Sequence, residues 1–503
     1  MIANAKPSLD FGAPVHSFTI STETAKSNLI NFPKFLTDNS DSGRLGTIAA
    51  GDFRHIAGEH GKFFVFSATR YHDRYSATVR IKLDSPLVVD IFSADSAINA
   101  EFNKRLEDYL LLTLQFFEES LRRETIYMGF VPGSKATSKL AGKSRITEKL
   151  FRGNMLNLFL LSLVLGSVLL LILYGIGLDW MAPAILITIM LIAVLSAGKL
   201  IAITSDWRIT QDYSDVVIVE IRPDGETIPE VLGKRRDALS AVKGELYSLM
   251  TDWKRSLSNA EVAAIFQKAG INVQPEQIIV KRINVYDIVK RAAQRFNMPI
   301  PAVVVTKNHK PNAAAMGFTR GLATMMITFG LLVQLEKKEI ELVVGHELSH
   351  LGFGDPAVLF SIVTAEYLFR VYVLVPNVAF FSYGTFPILY ILFIFWLIFF
   401  FAKFLEARAD LESAYILKDP QTMATSLKKI GFRRLILNAR FIEGKQSTFG
   451  EWLAFDPHPP IGFRIRRLES LDMNDVPKHT FLRSVRDVFA GISRSMKKEG
   501  SNG

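Results

Sequence analysis

Two pairs of long apolar runs constrain the fold of this chain more than any other feature of its sequence. Met155–Leu178 contains no charged residue, and Met181–Ile203 contains only Lys199. The second pair is Ala357–Phe381 and Thr385–Phe404. Because about 20 apolar residues in a helix cross a hydrocarbon core of about 30 Å, each run is long enough to span a membrane. The sequence therefore predicts four transmembrane helices in two hairpins.

Buried helices of a soluble core are the alternative, and the near absence of charge in the first pair, which contains only Lys199, disfavours it. The third run is the least secure of the four, since it contains Glu366 and Arg370. These residues are four apart and so lie on one face of a helix. Charged side chains inside a membrane usually pair with each other or face the interior of a bundle. A structural ion pair is therefore favoured over a role in substrate binding.

The distribution of Lys and Arg predicts how the runs are oriented. The short turns at Asp179–Trp180 and Phe381–Gly384 contain neither residue, whereas the other flanks are rich in both. Positively charged flanks stay on the cytoplasmic side of a membrane. Both long soluble regions are therefore expected in the cytoplasm, with the chain an integral protein of the inner or cell membrane.

The amino-acid composition limits which partners and which kinds of catalysis the chain can have. The formal net charge of +10 suits contact with an anionic lipid bilayer. Nucleic acid is the other partner that this charge would fit, but no nucleic-acid-binding fingerprint is present. The chain has no cysteine, which excludes disulfides, thiolate zinc sites and cysteine catalysis.

Residues 1–132 are predicted to form a separate soluble α+β domain, whose role the sequence leaves open. Strands are indicated at Lys62–Thr69, Tyr75–Leu83 and Leu87–Phe92, which are rich in Val, Ile, Phe and Tyr and are separated by turn residues. Leucines and aromatic residues at helical spacing predict an amphipathic helix over Asn99–Arg123.

The segment from His346 to His350 has the pattern His-Glu-x-x-His. Two histidines four residues apart project from one face of a helix and can bind one metal ion. Glu347 lies beside them, where it can take a proton from a metal-bound water. Apolar positions between Glu336 and Leu351 recur at helical spacing. The sequence thus predicts a zinc site on a single amphipathic helix.

A catalytic zinc generally has three protein ligands and a water. Glu406, at the cytoplasmic end of the fourth run, is the candidate for the third ligand. Asp410, one helical turn later, can accept a hydrogen bond from the outer nitrogen of a ligating histidine. Two carboxylates at this spacing usually lie on the solvent-exposed face of a helix. Because Glu406 and Asp410 follow the second apolar hairpin after a His-Glu-x-x-His motif, a role in the metal site is favoured instead.

These segments together resemble the M48 peptidases, and within that family the HtpX-like branch. The resemblance rests on the His-Glu-x-x-His helix, the hairpin after it, Glu406-Ala-Arg-Ala-Asp410 and a later His458-Pro-Pro. It covers about residues 275–470. It implies a mainly helical, gluzincin-like zincin domain with one zinc ion per chain and a polypeptide substrate. The N-terminal 150 residues and the segment near 205–270 depart from the family pattern.

The resemblance also implies residues that hold the substrate. An edge strand that binds an extended peptide by β-augmentation would lie at Asn312, Ala313, Ala314 and Ala315. His458 and Arg464 match a family His-Pro-x(4)-Arg segment, and either would stabilise the oxyanion or position the substrate. A structural ion pair with an acid such as Asp410 is the other role open to Arg464, and the sequence does not decide between the two.

The predicted fold class is α+β, with a mainly helical catalytic domain, four transmembrane helices and a soluble N-terminal domain. After residue 132 the predicted boundaries are a basic linker at 133–153, the first hairpin at 154–204, the first catalytic part at 205–356, the second hairpin at 357–405, the second catalytic part at 406–475 and a basic tail at 476–503. The tail is polar and is expected to be partly disordered.

The resulting hypothesis is a zinc metalloendopeptidase that cleaves misfolded or membrane proteins at the cytoplasmic face. Glu347 would act first as a base and then as an acid. Three alternatives have weaker support. A processing protease of the prenyl-CaaX type calls for more spans, and the charges at Glu336–Glu341 disfavour an intramembrane protease. In a non-catalytic membrane scaffold or chaperone, Glu347 has no purpose. The substrate and the oligomeric state are left open.

Overall fold

The computed structural model describes residues 12–40, 48–58, 61–70, 76–92, 100–133, 168, 172–173, 175–177, 179–222, 235–252, 257–317, 321, 323–378, 385–437 and 447–499. The predicted linker at 133–153 and the first apolar run, Met155–Leu178, lie almost wholly outside these residues.

An antiparallel sheet occupies the N-terminal region. Its strands are β1 (His16–Ile20), β2 (Ile48–Gly58), β3 (Gly61–Arg70), β4 (Ser76–Lys82) and β5 (Leu87–Phe92). They pair in the order β1-β5-β4-β3-β2. The helices of this region are α1 (Lys26–Leu29), α2 (Phe32–Ser40) and α3 (Ala100–Arg122). The predicted strands and the predicted amphipathic helix are confirmed, since alternating β-branched and aromatic residues place one face of each strand in the core.

A second sheet joins segments on either side of the first apolar pair. Its strands are β6 (Ile126–Phe130), β8 (Asp215–Ile221) and β9 (Ile278–Asn284), paired in that order and antiparallel. β6 precedes the first apolar pair in the chain and β8 follows it. Helix α4 (Ala182–Thr204) is the second run of that pair, and the short strand β7 (Trp207–Ile209) follows it. The predicted first hairpin therefore falls, in the sequence, between two strands that are hydrogen-bonded to each other.

A third sheet has four strands in the order β11-β12-β10-β7. After α5 (Arg236–Asp252), α6 (Asn259–Lys268) and α7 (Val285–Arg295) come β10 (Ala302–Thr306), β11 (Ala313–Met316) and β12 (Thr324–Thr328). β10 and β12 are parallel, and β11 is antiparallel to β12 at the free edge. The predicted edge strand at Ala313–Ala315 is thus present as β11.

The remaining helices carry the metal motifs and the second hairpin. They are α8 (Phe329–Gln334), α9 (Lys337–Phe353), α10 (Asp355–Phe369), α11 (Phe386–Leu417), α12 (Pro420–Leu437), α13 (Phe449–Leu453), α14 (Ile461–Glu469) and α15 (Thr480–Glu499). The side chains of Glu336 and Glu339 form a capping box at the start of α9. Gly354, in the left-handed region at φ 82°, ends α9 and starts α10.

Two helical segments among the described residues are long and apolar enough to cross a membrane: Asp355–Leu374 and Phe386–Leu417. The first is α10 continued by a π-helical turn at Arg370–Leu374. Arg370 Nε donates to Glu366 Oε1 at 2.9 Å, so the expected ion pair is present. α11 continues well beyond the apolar run that ends at Phe404. The structure thus contains two candidate spans, and four spans remain a prediction.

The C-terminal segment differs from what the sequence predicts. Instead of a partly disordered tail, Thr480–Glu499 forms the 20-residue helix α15. Val488 and Ile492 are buried in a cluster with Phe404 and Ala407 of α11 and Trp452 of α13. The apolar positions are spaced for one face of a helix, but the many basic residues between them obscured that pattern.

The N-terminal region shares its core with the C-terminal half of the chain. Leu110 and Phe117 of α3 belong to the same buried cluster as Leu342 of α9 and Phe432 of α12. Buried ion pairs cross the same interface. Lys428 of α12 contacts Asp108 of α3 and Glu469 of α14. Although the boundary at residue 132 stays a prediction, the N-terminal region is packed against the helices that carry the metal motifs and is not a separate body.

A neighbouring part of this interface holds three acids. Glu23, Glu118 of α3 and Glu220 of β8 lie close together, with Arg122 Nε donating to Glu23 Oε1 at 2.5 Å. Burial, with the nearby charge of Glu23, raises the pKa of Glu118 to about 7 and that of Glu220 to about 8.

Lys428→Met is expected to lower the free energy of unfolding by about 3–5 kcal/mol, because it leaves the buried Asp108 carboxylate without the cation it contacts, while Glu469 keeps Lys104 at 3.2 Å. The urea unfolding midpoint of the detergent-solubilised protein measures this effect. Lys268→Met is the matched control, since Lys268 is exposed and lies 3.9 Å from Glu245. Equal midpoints for the two variants would contradict a stabilising role for the buried pair.

Glu220→Gln is expected to flatten the pH dependence of stability. The pKa of Glu220 in the folded protein is above its ordinary value of 4.5, so the folded state holds a proton that the unfolded state releases. Stability from this group is therefore complete below about pH 4.5 and is lost as the pH rises to about 8. Unfolding midpoints at a series of pH values should converge for wild type and variant in acid and favour the variant in base. Glu245→Gln, at an exposed site, should follow wild type throughout.

Candidate metal centre

Helix α9 brings the two motif histidines together. His346 and His350 are one turn apart, and their Nε2 atoms are 3.2 Å from each other. His346 is buried and His350 is partly buried. The helix holds both rings on one face because residues at positions i and i+4 are neighbours on a helix surface.

Helix α11 supplies the third donor. Glu406 Oε2 lies 3.3 Å from His346 Nε2, and Glu406 Oε1 lies 3.4 Å from His350 Nε2. The second hairpin makes this possible, since α10 leads away from the end of α9 and α11 returns beside it. His346, His350 and Glu406 form the one three-residue group suited to a metal ion that the described part of the chain contains.

The three donors fit a metal ion of zinc size. Metal–ligand bonds of about 2.0–2.1 Å in a tetrahedron place neighbouring donor atoms about 3.3–3.4 Å apart. The two histidine Nε2 atoms are 3.2 Å apart, close to that edge, and each of them has one oxygen of Glu406 at 3.3 or 3.4 Å. Glu406 Oε2 is buried and has no hydrogen-bond partner among the described residues. Two nitrogens and a carboxylate that converge in this way form a donor set typical of catalytic zinc.

The electrostatics of the site favour a positive charge. Burial lowers the pKa of His346, but hydrogen bonds and charge from Asp410 and Glu406 outweigh it and raise that pKa to about 10. The same carboxylates that stabilise a proton on His346 would stabilise a bound cation.

Asp410 fixes the orientation of His346. Asp410 Oδ1 is 3.0 Å from His346 Nδ1, on the side of the ring opposite the donor atom Nε2. Arg464 in turn donates to Asp410 through Nε and one terminal nitrogen, both at 2.7 Å. The same guanidinium is 3.8 Å from Glu406 Oε2. Of the two roles left open for Arg464, the structure therefore shows the ion pair with Asp410.

Asp355 fixes the orientation of His350 in the same way, and the sequence analysis did not identify this residue. Asp355 Oδ2 lies 2.6 Å from His350 Nδ1 and accepts a hydrogen bond at 2.7 Å from Arg408, which is fully buried. Gly354 makes this contact possible because its left-handed conformation turns the chain back at the end of α9. The signal was an acid directly after a helix-ending glycine, close to the second histidine.

Close packing of α9 on α11 determines the distance of Glu406 from the two histidines. A Cβ on Gly345 would lie 2.5 Å from Leu417 Cδ1 and 2.8 Å from Ser413 Oγ. Ser413 Oγ donates to the carbonyl of Leu342 at 2.9 Å. A side chain at position 345 would therefore separate the two helices that supply the metal ligands.

Glu347 lies between the metal ligands and the edge strand β11. The backbone N–H of Ala315 donates to Glu347 Oε2 at 3.0 Å. Ala313, Ala314 and Ala315 lie on β11, and the carbonyl of Asn312 accepts from the N–H of Thr328 at 3.0 Å. The four residues predicted to bind substrate therefore lie beside Glu347, the candidate base. They follow an edge of the sheet that has no partner strand among the described residues.

His458 lies at the mouth of the site. Its side chain is 43% exposed, and Nε2 is 3.6 Å from Glu406 Oε2. Its Nδ1 lies 2.9 Å from Asp456 Oδ1. Burial opposes ionisation of Asp456, but the hydrogen bond with His458 keeps its pKa below the usual range. Asp456, which the sequence analysis also missed, holds the ring of His458 toward the cluster.

Asp355→Asn is expected to weaken zinc binding by about 10- to 100-fold, because an outer carboxylate fixes the tautomer and orientation of a ligating histidine. Competition with a chromogenic chelator measures the affinity. Asp475→Asn is the control, since the Asp475 side chain is exposed and lies 3.6 Å from Arg483, away from the metal ligands. An unchanged affinity in the Asp355 variant would show that His350 needs no such support.

Comparison with known proteins agrees with this geometry. The model of peptidase family M48 matches residues 281–472, which contain all three donors and Glu347. The chain is 30% identical over 212 residues to protease HtpX of Nitrosococcus oceani, covering 37% of this chain and 70% of that protein. It is 28% identical over 206 residues to protease HtpX of Idiomarina loihiensis, covering 36% and 69%. A protease HtpX homolog of Thermoanaerobacter pseudethanolicus is 26% identical over 257 residues, covering 45% and 83%. The chain therefore belongs to peptidase family M48, as an HtpX-like metalloprotease.

Proposed function

We propose that this protein is a zinc-dependent, membrane-anchored endopeptidase that hydrolyses peptide bonds of misfolded or membrane proteins at the cytoplasmic face. The observation that carries the proposal is the convergence of His346, His350 and Glu406 with Glu347 beside them. A purely structural zinc site has four protein ligands and no adjacent base. Here three donors converge within the described residues, with Glu347 hydrogen-bonded to β11 beside them and His458 Nε2 3.6 Å from Glu406 Oε2.

His346, His350 and Glu406 would hold the zinc ion, which when bound supplies a Lewis acid for the scissile carbonyl and lowers the pKa of a water. Glu347 takes the proton of the attacking water and later gives it to the leaving amine. The hydrogen bond from the Ala315 N–H keeps the Glu347 carboxylate pointing toward the substrate edge. Because that carboxylate is partly buried and accepts only this hydrogen bond among the described residues, its other oxygen is free to take the proton.

The substrate would add as an extended strand to the free edge of β11. An edge strand offers backbone N–H and C=O groups at regular spacing, so it binds many sequences with little side-chain selectivity. That property suits a protease that acts on unfolded chains. His458, half-exposed and oriented by Asp456, is placed to stabilise negative charge on the carbonyl oxygen as it develops. Arg464 acts through Asp410 and holds His346 in position.

The geometry of the second hairpin supports cleavage next to a membrane. α10 begins at Asp355, which contacts His350, and α11 carries Glu406 at the end of its apolar part. Both ends of the hairpin are therefore tied to metal ligands. With the positive flanks on the cytoplasmic side, four spans in two hairpins place the site at the inner surface of the bilayer.

Glu347→Gln is expected to keep one zinc ion per chain and to lower the cleavage rate by at least about 100-fold, because it removes the proton acceptor while leaving the ligands in place. Metal analysis and cleavage of an unfolded protein and of a membrane protein, all in detergent, measure both quantities.

Glu341→Gln provides a matched control for this variant. Glu341 lies on the same helix, and its nearest cationic contact is Arg291 at 3.5 Å, away from the metal ligands. It should retain nearly full activity. A Glu347 variant that cleaves within a few-fold of wild type would refute the mechanism, whereas loss of zinc would show that Glu347 supports the ligands.

A further inference from the structure

The surface of helix α15 carries a feature that proteolysis does not explain. Leu482, Phe489 and Met496 are 63%, 53% and 48% exposed, although all three are large and apolar. They are seven residues apart and so form one stripe, about 20 Å long, along the outer face of the helix. The inner face is buried against α11. Three large apolar side chains exposed along one side of an otherwise packed helix mark a contact surface.

Helix α15 runs alongside α11 in the opposite direction. Near its start, Thr480 Oγ1 donates to Glu412 Oε1 at 3.1 Å. In its middle, the ring of Phe489 is 5.5 Å from that of Phe404. α15 therefore descends from the metal site toward the apolar part of α11, which is a candidate membrane span.

The end of α15 reaches the level of the candidate span through Trp452 of α13. Trp452 Nε1 donates to Ser495 Oγ at 3.1 Å, and the carbonyl of Leu453 accepts from Trp396 Nε1 of α11 at 3.0 Å. Trp396 lies within α11's apolar run, so its hydrogen bond to Leu453 places the end of α13 beside the candidate span. Leu453, the last residue of α13, and Phe455, in the turn that follows, are also exposed.

Charge on the same face identifies the partner. Arg486 lies one turn from both Leu482 and Phe489, and Lys497 follows Met496; both are exposed. An apolar stripe bordered by basic side chains is the pattern of a helix that lies at the surface of a bilayer with anionic lipids. The apolar residues enter the boundary between headgroups and acyl chains, and the cations contact lipid phosphates.

We propose that α15 and the Leu453–Phe455 turn form an interfacial membrane contact that seats the peptidase on an anionic bilayer. The inference depends on the membrane placement of the second hairpin proposed above. It adds a lipid-facing surface outside the spans, and this surface is continuous with the active site. His458 follows Phe455 by three residues, so the turn that enters the lipid is the one that presents His458 to the metal site. Seating of the turn in lipid therefore fixes the height of the substrate cleft above the membrane.

The absence of cysteine makes a direct test simple. Single cysteines at Leu482, Phe489 and Met496 are spin-labelled in the full-length protein, reconstituted in bilayer discs of phosphatidylcholine and phosphatidylglycerol. Relaxation by oxygen, which partitions into lipid, is compared with relaxation by a water-soluble nickel chelate. Immersion in lipid is expected to increase from Leu482 to Phe489 to Met496, because α15 descends along α11. Retained cleavage activity in each variant confirms folding.

Labels at two control positions distinguish a failure of the interfacial contact from a failure of the membrane placement of the hairpin. Val476 is exposed and apolar but lies near Tyr415, far along α11 from the span, so its label should report water. Leu392 is exposed in the apolar part of α11, so its label should report hydrocarbon. Aqueous labels at Phe489 and Met496 with a lipid-exposed label at Leu392 would overturn the interfacial contact alone. An aqueous label at Leu392 would overturn the membrane placement of the hairpin as well.

The dependence of the contact on anionic lipid is tested separately. In discs without phosphatidylglycerol, or in the Arg486→Glu/Lys497→Glu variant, the Met496 label is expected to become measurably more accessible to the nickel chelate. No change in either case would overturn the preference for anionic lipid. Dipolar broadening between labels on different chains, with no lipid exposure, would show a second copy on the stripe and would also overturn the proposal.

Discussion

The contact between helices α9 and α11 is the constraint on which the rest of the structure depends. The two helices carry the two halves of the metal site, and they belong to segments separated by an apolar hairpin. Gly345 lets them approach closely, because no Cβ fits between its backbone and Leu417 or Ser413. Glu406 is within 3.4 Å of both histidines only at that separation. A site built on two helices keeps its geometry if the helices themselves cannot shift.

Buried charge makes this contact specific. Each histidine has a carboxylate at its outer nitrogen, and each carboxylate has an arginine: Asp410 with Arg464, and Asp355 with Arg408. Buried ions are costly unless they are paired and hydrogen-bonded, so the alternatives to this arrangement are disfavoured. The pairs also join distant segments, since Arg408 connects α11 to the start of α10 and Arg464 connects α14 to α11. The second hairpin is thus attached to the metal site at both ends.

The N-terminal region is part of the same framework. Lys429 of α12 donates to Ser21 Oγ at 2.8 Å and to Glu339 of α9 at 3.0 Å, so one side chain connects the N-terminal region to the motif helix. The shared core around α3 places a large apolar surface behind α12. These contacts favour a structural role for a region that has no counterpart in the residues matching the family.

The sequence by itself determined the features that are local in the chain. The i, i+4 spacing of His346 and His350, the adjacent Glu347, the strands β3, β4 and β5 and the apolar character of the second hairpin all follow from patterns over a few residues. Glu406 and Asp410 could also be identified, because helix geometry places them on one face and the motif requires a further ligand.

Only the tertiary structure decided which distant groups meet. It paired Arg464 with Asp410 and Arg408 with Asp355, joined β6 to β8 across the predicted first hairpin and packed α15 as a helix on α11. None of these contacts is encoded in a short window. Each depends on how helices pack over tens of residues of intervening chain, and many acids and bases in the sequence would have been equally acceptable partners by type. Distance after packing selects among them, because charge pairing and burial act only between groups that the fold has brought together.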